Sequence, residues 1–312
     1  MRLPRIISLV FMFLVFVISF ASMEVVLVPK TTLESVGEVT LVISKVKLTN
    51  AFVRLSYNTN IVFPFYPAHM GMVSIIPIPP EIRMKKVLLE VLEDGKTLFS
   101  APIYLDYVGK RKEKIKKLKL TPESRVILTN SKRIVEDIRY IQNKLKGIDL
   151  YSYQCKDIPS FSLPSTNRVT SPFGLRRKYS DGRVRYHKGV DFSSVPDENV
   201  FSVGDGIVVI SSNFLAPGET IYIYHGYGII SSYFHLAERF VKEGEFVSKG
   251  QIIGRIGKTG ISTGSHLHLG MYVLGIGGYV PIDPISFIQS SANGKFFVEE
   301  ILSKRGNSVE YD

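Results

Sequence analysis

From about residue 160 to residue 290 glycine punctuates short apolar runs, and no helical period lasts longer than two turns. Val203-Gly204-Asp205-Gly206-Ile207-Val208-Val209-Ile210 reads as a turn followed by a strand. Thr220 to Tyr224 and Ile229 to Phe234 read as two strands around a turn at Gly226 and Gly228. Val241 to Gly257 reads as short strands broken at Gly244 and Gly250, and His266 to Val273 alternates over the length of a strand. A chain punctuated this way buries its apolar faces by pairing short strands, so this half is expected to be an antiparallel β domain.

The first half carries the same texture up to a helix. Val25–Val28, Val39–Ile43 and Phe52–Leu55 are β-branched or aromatic-rich and bounded by Gly, Asn and Pro. Val87 to Glu93, Asp94-Gly95 and Thr97 to Leu105 spell a hairpin, because Asp-Gly suits a tight primed turn. Strands at this spacing suggest a small β-sandwich. Ile134, Ile138, Ile141 and Leu145 then form one apolar stripe, which predicts a helix over 131–146, capped by Asn130 or Ser131 and ended by Gly147. The expected class is mainly β: a β-sandwich-like accessory domain over 24–120, a helical connector over 121–159, an antiparallel β domain over 160–290 and a tail over 291–312.

Residues 1–21 are of a different kind. Arg2 and Arg5 precede an apolar run from Ile6 to Ile18, interrupted only by Ser8, and Ser19 and Ala21 form a small-x-small pair. That is the shape of a secretory signal peptide cleaved after Ala21. An uncleaved anchor is the alternative, although the run is short of the roughly 20 apolar residues of a spanning helix. Either way the remainder is expected to work outside the cytoplasmic membrane, in the periplasm or cell envelope.

Composition narrows the chemistry. Apolar residues make up 45% and charged residues 21%, which excludes a disordered chain and a polytopic membrane protein. The one cysteine, Cys155, allows no internal disulfide and no four-Cys zinc site, so a metal would be held mainly by His and carboxylate. The net charge of +11 is uneven: residues 24–159 hold 22 basic and 14 acidic side chains, against 12 and 10 over 160–290. The densest run is Lys110 to Lys119, which would attract an anionic cell-wall polymer or membrane surface, or else serve as a solvated edge. Nucleic acid is a poor partner for an exported chain.

Chemistry concentrates in three short motifs. His187 and Asp191 stand four residues apart, on one face if the chain is extended. His266 and His268 share one side of a strand, with Leu267 and Leu269 on the other. His235 lies on a third strand. Two imidazoles and a carboxylate are the ligand set that leaves a catalytic zinc one open position. Further histidines near that position could act as a general base and stabilise a developing oxyanion. His69 and His225 stand apart from these motifs and are read as structural, and Cys155 as incidental.

These residues resemble the lysostaphin-type zinc metallopeptidases, the cell-wall endopeptidases with a LytM domain. The resemblance rests on His187-x-x-x-Asp191 and His266-x-His268, and on the words Ser171-Pro172-Phe173-Gly174-Leu175-Arg176, His187-Lys188-Gly189-Val190-Asp191-Phe192, Tyr233-Phe234-His235-Leu236 and Gly257-Lys258-Thr259-Gly260. It covers about residues 160–288. It implies one zinc ion per chain held by His187, Asp191 and His268, with His235 and His266 acting on the water and the oxyanion. Tyr179 or Tyr186 would add an oxyanion donor, and Arg176 would orient a substrate carboxylate or form a structural salt bridge.

The activity so implied is hydrolysis of peptide bonds in peptidoglycan cross-links or stem peptides. The alternative is a non-catalytic protein of the same fold that binds cell wall or activates a separate amidase. Val241 to Gln251 also resembles a biotinyl or lipoyl module, but neither Lys249 nor Lys258 has the setting such a module needs. Gly254 to Thr259 fails the P-loop spacing, since Ile252 stands where glycine is required. Ser211 to Glu219 and Leu274 to Gly278 are expected to wall the substrate groove.

Overall fold

The computed structural model describes residues 17–20, 23–28, 32–33, 37–44, 46–68, 71–82, 84–105, 115–117, 120–153, 158–178, 182, 184–195 and 197–292. His69, Cys155 and Tyr179, most of Lys110–Lys119, and residues 1–16 and 21 of the expected leader lie outside them. No helix among the described residues is long and apolar enough to cross a membrane.

The protein is mainly β, and nearly all its strand pairs are antiparallel. The first half holds two five-stranded sheets. One contains Val17–Phe20, Met23–Val28, Val39–Ser44, Gly71–Pro77 and Tyr66–Ala68; the other contains Thr32–Leu33, Lys96–Leu105, Lys86–Glu93, Ala51–Leu55 and Asn58–Pro64. Leu41, Ile43 and Ile75 from the first share a core with Val53, Leu89, Val91 and Ile103 from the second. Alternation along Lys86–Glu93 puts Val87, Leu89 and Val91 inward, which fixes the register. Its partner strand follows through Asp94 and Gly95, whose φ angles of 47° and 77° make the primed turn that Asp-Gly favours.

The second half is built on one large sheet whose order runs Val169–Ser171, Val190–Ser193, His266–Gly275, Ile229–Arg239, Gly218–Tyr224, Gly206–Phe214 and Phe246–Val247. Helix α3, Pro284–Ala292, closes this half; a proline at its start sets the first helical φ, and the nine residues exceed the two turns expected from periodicity. The two halves are joined by backbone. Val62 and Ile276 exchange hydrogen bonds of 3.1 and 2.8 Å, so Leu274–Gly278 docks on the first half and does not wall the groove. It sits at the far end of the His266–Gly275 strand, about 30 Å from His266 at the usual rise per residue.

Two connector helices brace the second half. In α2, Ser131–Lys146, Asn130 caps the start and Gly147 the end. The buried face is Asp137, Ile141 and Leu145, while Ile138 of the expected stripe is 47% exposed. The helix is turned because Asp137 accepts from Leu215 N at 2.7 Å. In α1, Pro122–Thr129, the buried hydroxyl of Ser124 donates to Ser262 O at 2.8 Å and accepts from Ser262 N at 3.1 Å. One side chain thereby satisfies both backbone groups of a buried residue 138 positions away. Replacing it strands them, at a cost of about 1–3 kcal/mol. Ser124→Ala is therefore expected to lower the Tm measurably, whereas Ser131→Ala, at an exposed position of α2, leaves it nearly unchanged.

A candidate metal centre

The ladder itself brings the acidic residue to an imidazole. Val190–Ser193 pairs antiparallel with His266–Gly275, with Asp191 opposite His268 and Ser193 opposite His266. Opposed residues share a face, so the Asp191 and His268 side chains point the same way. Asp191 Oδ1 lies 2.9 Å from His268 Nδ1 and 3.0 Å from His187 Nε2, and the two nitrogens are 3.0 Å apart. His187 enters just before this strand, held by His187 N to Leu175 O at 2.9 Å and Gly174 N to His187 O at 2.7 Å.

A hydrogen bond fixes the tautomer of His187, and packing fixes the ring of His268. His187 Nδ1 donates to Pro172 O at 2.9 Å, which leaves Nε2 with a lone pair facing Asp191 and His268. The His268 ring stacks on Phe234, 5.2 Å between centroids and 9° from parallel. Its other flank touches the backbone of Gly189, where a Cβ would fall 2.6 Å from His268 Nε2. Only glycine leaves the ring that space.

His266 and His235 stand beside this trio. His266 Nε2 is 3.9 Å from Asp191 Oδ1, and its Nδ1 donates to Gly264 O at 2.8 Å. The loop behind it is the one Ser124 holds, since Ser262 Oγ also reaches His266 Nδ1 at 3.2 Å. His235 Nδ1 donates to Thr259 O at 2.8 Å, and its ring centroid is 4.8 Å from that of His266. His235 has φ +62°, a costly backbone for a residue with a Cβ, held by His235 N to Pro217 O at 2.9 Å. The Asp137 contact reaches the same loop, whose Ala216 O also accepts from Ile261 N.

Electrostatics suit a cation. Burial pushes His187 down to about 4 and, aided by the neighbouring imidazoles, His235 down to about 3. Burial lowers His266 as well. Burial opposes the charge of Asp191, but its imidazole neighbours His187 and His268 hold its carboxyl far below the usual range. At neutral pH the trio therefore offers a neutral His187 imidazole and the Asp191 carboxylate, with His268 Nδ1 beside them. Its three donor atoms could hold a metal ion. A tetrahedral ion with ligand bonds of about 2.0–2.1 Å needs donors about 3.3–3.4 Å apart, a few tenths more than is found here.

Arg177, not its neighbour Arg176, reaches the centre. Its guanidinium donates to Asp191 Oδ2, and to Ser171 Oγ at 2.7 Å. Arg176 pairs in register with Tyr186, one residue along, so both occupy the opposite face of their sheet. Successive strand residues point to opposite sides, and the sequence alone does not fix which of two adjacent arginines points inward. Thr259 was legible only as part of the Gly257–Gly260 word. It supplies the carbonyl for His235, and its hydroxyl donates to Leu236 O at 2.7 Å.

Residues 185–284 match the sequence family described as Peptidase family M23. The match takes in about a third of the chain. The chain is 41% identical over 110 residues to the peptidoglycan DD-endopeptidase ShyC of Vibrio cholerae, and 39% identical over 116 residues to ShyA, a peptidoglycan DD-endopeptidase of the same organism. These matches take in 35% and 37% of this chain but only 25% and 27% of those relatives. In fold, the chain is similar to a crystal structure assigned to the M23 peptidases from Pseudomonas aeruginosa, with a TM-score of 0.57 and 21% identity over 81% of this chain and 94% of that one.

His225, outside the trio, is fully buried. Its Nδ1 donates to Asp205 O and its Nε2 meets Ser231 Oγ, each at 2.7 Å, and burial pushes its pKa down to about 4. The unfolded imidazole takes a proton below about pH 6.5, while the folded one stays neutral until about pH 4. Its contribution is thus complete above pH 6.5 and is lost as pH falls towards 4, by at most about 3 kcal/mol at 1.36 kcal/mol per pH unit. In His225→Gln, the stability difference between pH 7 and pH 4 in urea titrations is expected to shrink by an amount of that order.

Proposed function

We propose that this chain is an exported zinc metalloendopeptidase that hydrolyses peptide bonds in peptidoglycan cross-links or stem peptides. The observation that carries the reading is the convergence of His187 Nε2, Asp191 Oδ1 and His268 Nδ1 within 3.0 Å of one another, with His235 and His266 beside them. The M23 match and the names of the Vibrio relatives support the substrate class.

His187, Asp191 and His268 would hold the ion, one per chain. When bound, zinc supplies Lewis acidity and acidifies a water at neutral pH. The rest is done by side chains. With Nδ1 donating to Gly264 O, His266 turns a basic Nε2 towards the trio, where it accepts a proton from the attacking water. His235, tied through Nδ1 to Thr259 O, is the second proton-accepting imidazole. The protonated ring then donates to the developing oxyanion or to the leaving amine. Neutral resting imidazoles are what this requires, and burial keeps both neutral. Tyr179 remains the proposed oxyanion donor; Tyr186 and Arg176 lie on the sheet face opposite Arg177, which favours a structural role for both.

The proposal is tested on purified peptidoglycan, with released fragments identified by mass. Wild-type protein is expected to release peptide-bond cleavage products, and a chelator to stop it. His268→Ala is expected to lose both the metal and the activity. His266→Ala is expected to keep one zinc per chain and to lose about 10²–10⁴-fold in rate, the usual scale of general acid–base catalysis. Hydrolysis that survives in His268→Ala with zinc content unchanged would contradict the ligand assignment.

A further inference from the structure

A small three-stranded sheet flanks the metal centre. Ile115–Lys117 pairs parallel with Arg176–Lys178, which pairs antiparallel with Val184–Tyr186. Its middle row is Lys116, Arg177 and Arg185, directly opposite one another on three adjacent strands. Opposed residues share a face. Arg177 shows which face this is, because its guanidinium reaches Asp191 Oδ2 and Ser171 Oγ. Three cations therefore stand abreast on the side of the sheet that looks onto the metal centre.

Like charges set directly opposite destabilise a sheet. The Arg177–Asp191 ion pair offsets one of the three. Lys116 and Arg185 are exposed and form no ion pair among the described residues. At the usual strand spacing the row is about 10 Å across, with its free cations at the two ends. That suits discrete anionic groups on one bound chain better than the long track of a polyanion. A group seated there lies next to the bond being cut.

We propose that Lys116, Arg177 and Arg185 form a cation row that seats free carboxylates of an acidic substrate peptide beside the metal centre. This rests on the peptidase reading and specifies its substrate as a peptide that carries unblocked side-chain or terminal carboxylates. Arg177 serves Asp191 and completes the positive wall; Lys116 and Arg185 make the contacts. The short strand 115–117, which precedes the connector helices in sequence, thus becomes part of the substrate groove.

The test uses the zinc-loaded full chain and two synthetic cross-linked peptides, identical except that one has its carboxylates amidated. Wild-type protein is expected to show the lower KM for the free-carboxylate peptide. In the double variant Lys116→Gln, Arg185→Gln, KM for that peptide rises about three- to tenfold, the scale of two partly exposed charge contacts. Its kcat changes less, its zinc content stays at one, and its KM for the amidated peptide matches wild type. An unchanged KM in the double variant, or an equal rise for both peptides, overturns the proposal. If wild type cleaves neither peptide, the peptidase reading has failed, and fluorescence anisotropy of the same two peptides decides on the row alone. Tighter binding of the free-carboxylate peptide, lost in the double variant, supports it. Equal binding of both, or binding only to a phosphodiester polymer, overturns it.

Discussion

A buried carboxylate organises the second half of this protein. Asp191 is 6% exposed, and an isolated charge so placed would cost several kcal/mol. It is tolerated because one oxygen faces two imidazole nitrogens and the other receives the Arg177 guanidinium. Each of those partners is itself pinned. His187 is tied to the Pro172 carbonyl, His268 lies between Phe234 and the Gly189 backbone, and Arg177 is bound to Ser171. Loss of any one leaves a charge or a polar group without its compensation, so the cluster behaves as a unit.

Strand register turns that cluster into a site. Because Asp191 is opposite His268 in the ladder, their side chains meet without a long loop having to find its conformation. His266, two residues before, shares the face. The two remaining pieces depend on less regular backbone. His235 takes a left-handed conformation within a strand, and Ser262 and Thr259 lie in the turn-rich stretch before His266. The connector helices supply the rigidity which that stretch lacks, through Ser124 on Ser262 and Asp137 on the loop that holds His235 and Ile261. The helical segment between the two halves thus supports the histidine pair and does more than set a spacing.

Much of this was legible in the sequence, for physical reasons. The Asp94-Gly95 hairpin, the Asn130 cap and the strand at His266 each follow from local chemistry: turn preference, capping and alternation. His187, Asp191, His235, His266 and His268 stood out because their residue types are rare and sit in tight motifs. What stayed hidden depends on pairing between distant segments. Arg177 could not be separated from Arg176 without the register of their strand. The rotation of α2 was set by an unexpected partner for Asp137, which left Ile138 exposed. The docking of Leu274–Gly278 on Val62 joins segments more than 200 residues apart, and no local pattern announces it.

The central claim is that two imidazoles and one carboxylate from separate segments hold a single divalent ion. X-ray absorption at the zinc edge, on the full chain loaded with zinc and desalted, addresses it most directly. The account predicts one zinc per chain in a low-coordinate shell of nitrogen and oxygen at about 2.0–2.2 Å, with the multiple-scattering signature of two imidazoles. A chain that retains no zinc, or one whose zinc sits in an all-oxygen shell without imidazole, would contradict it.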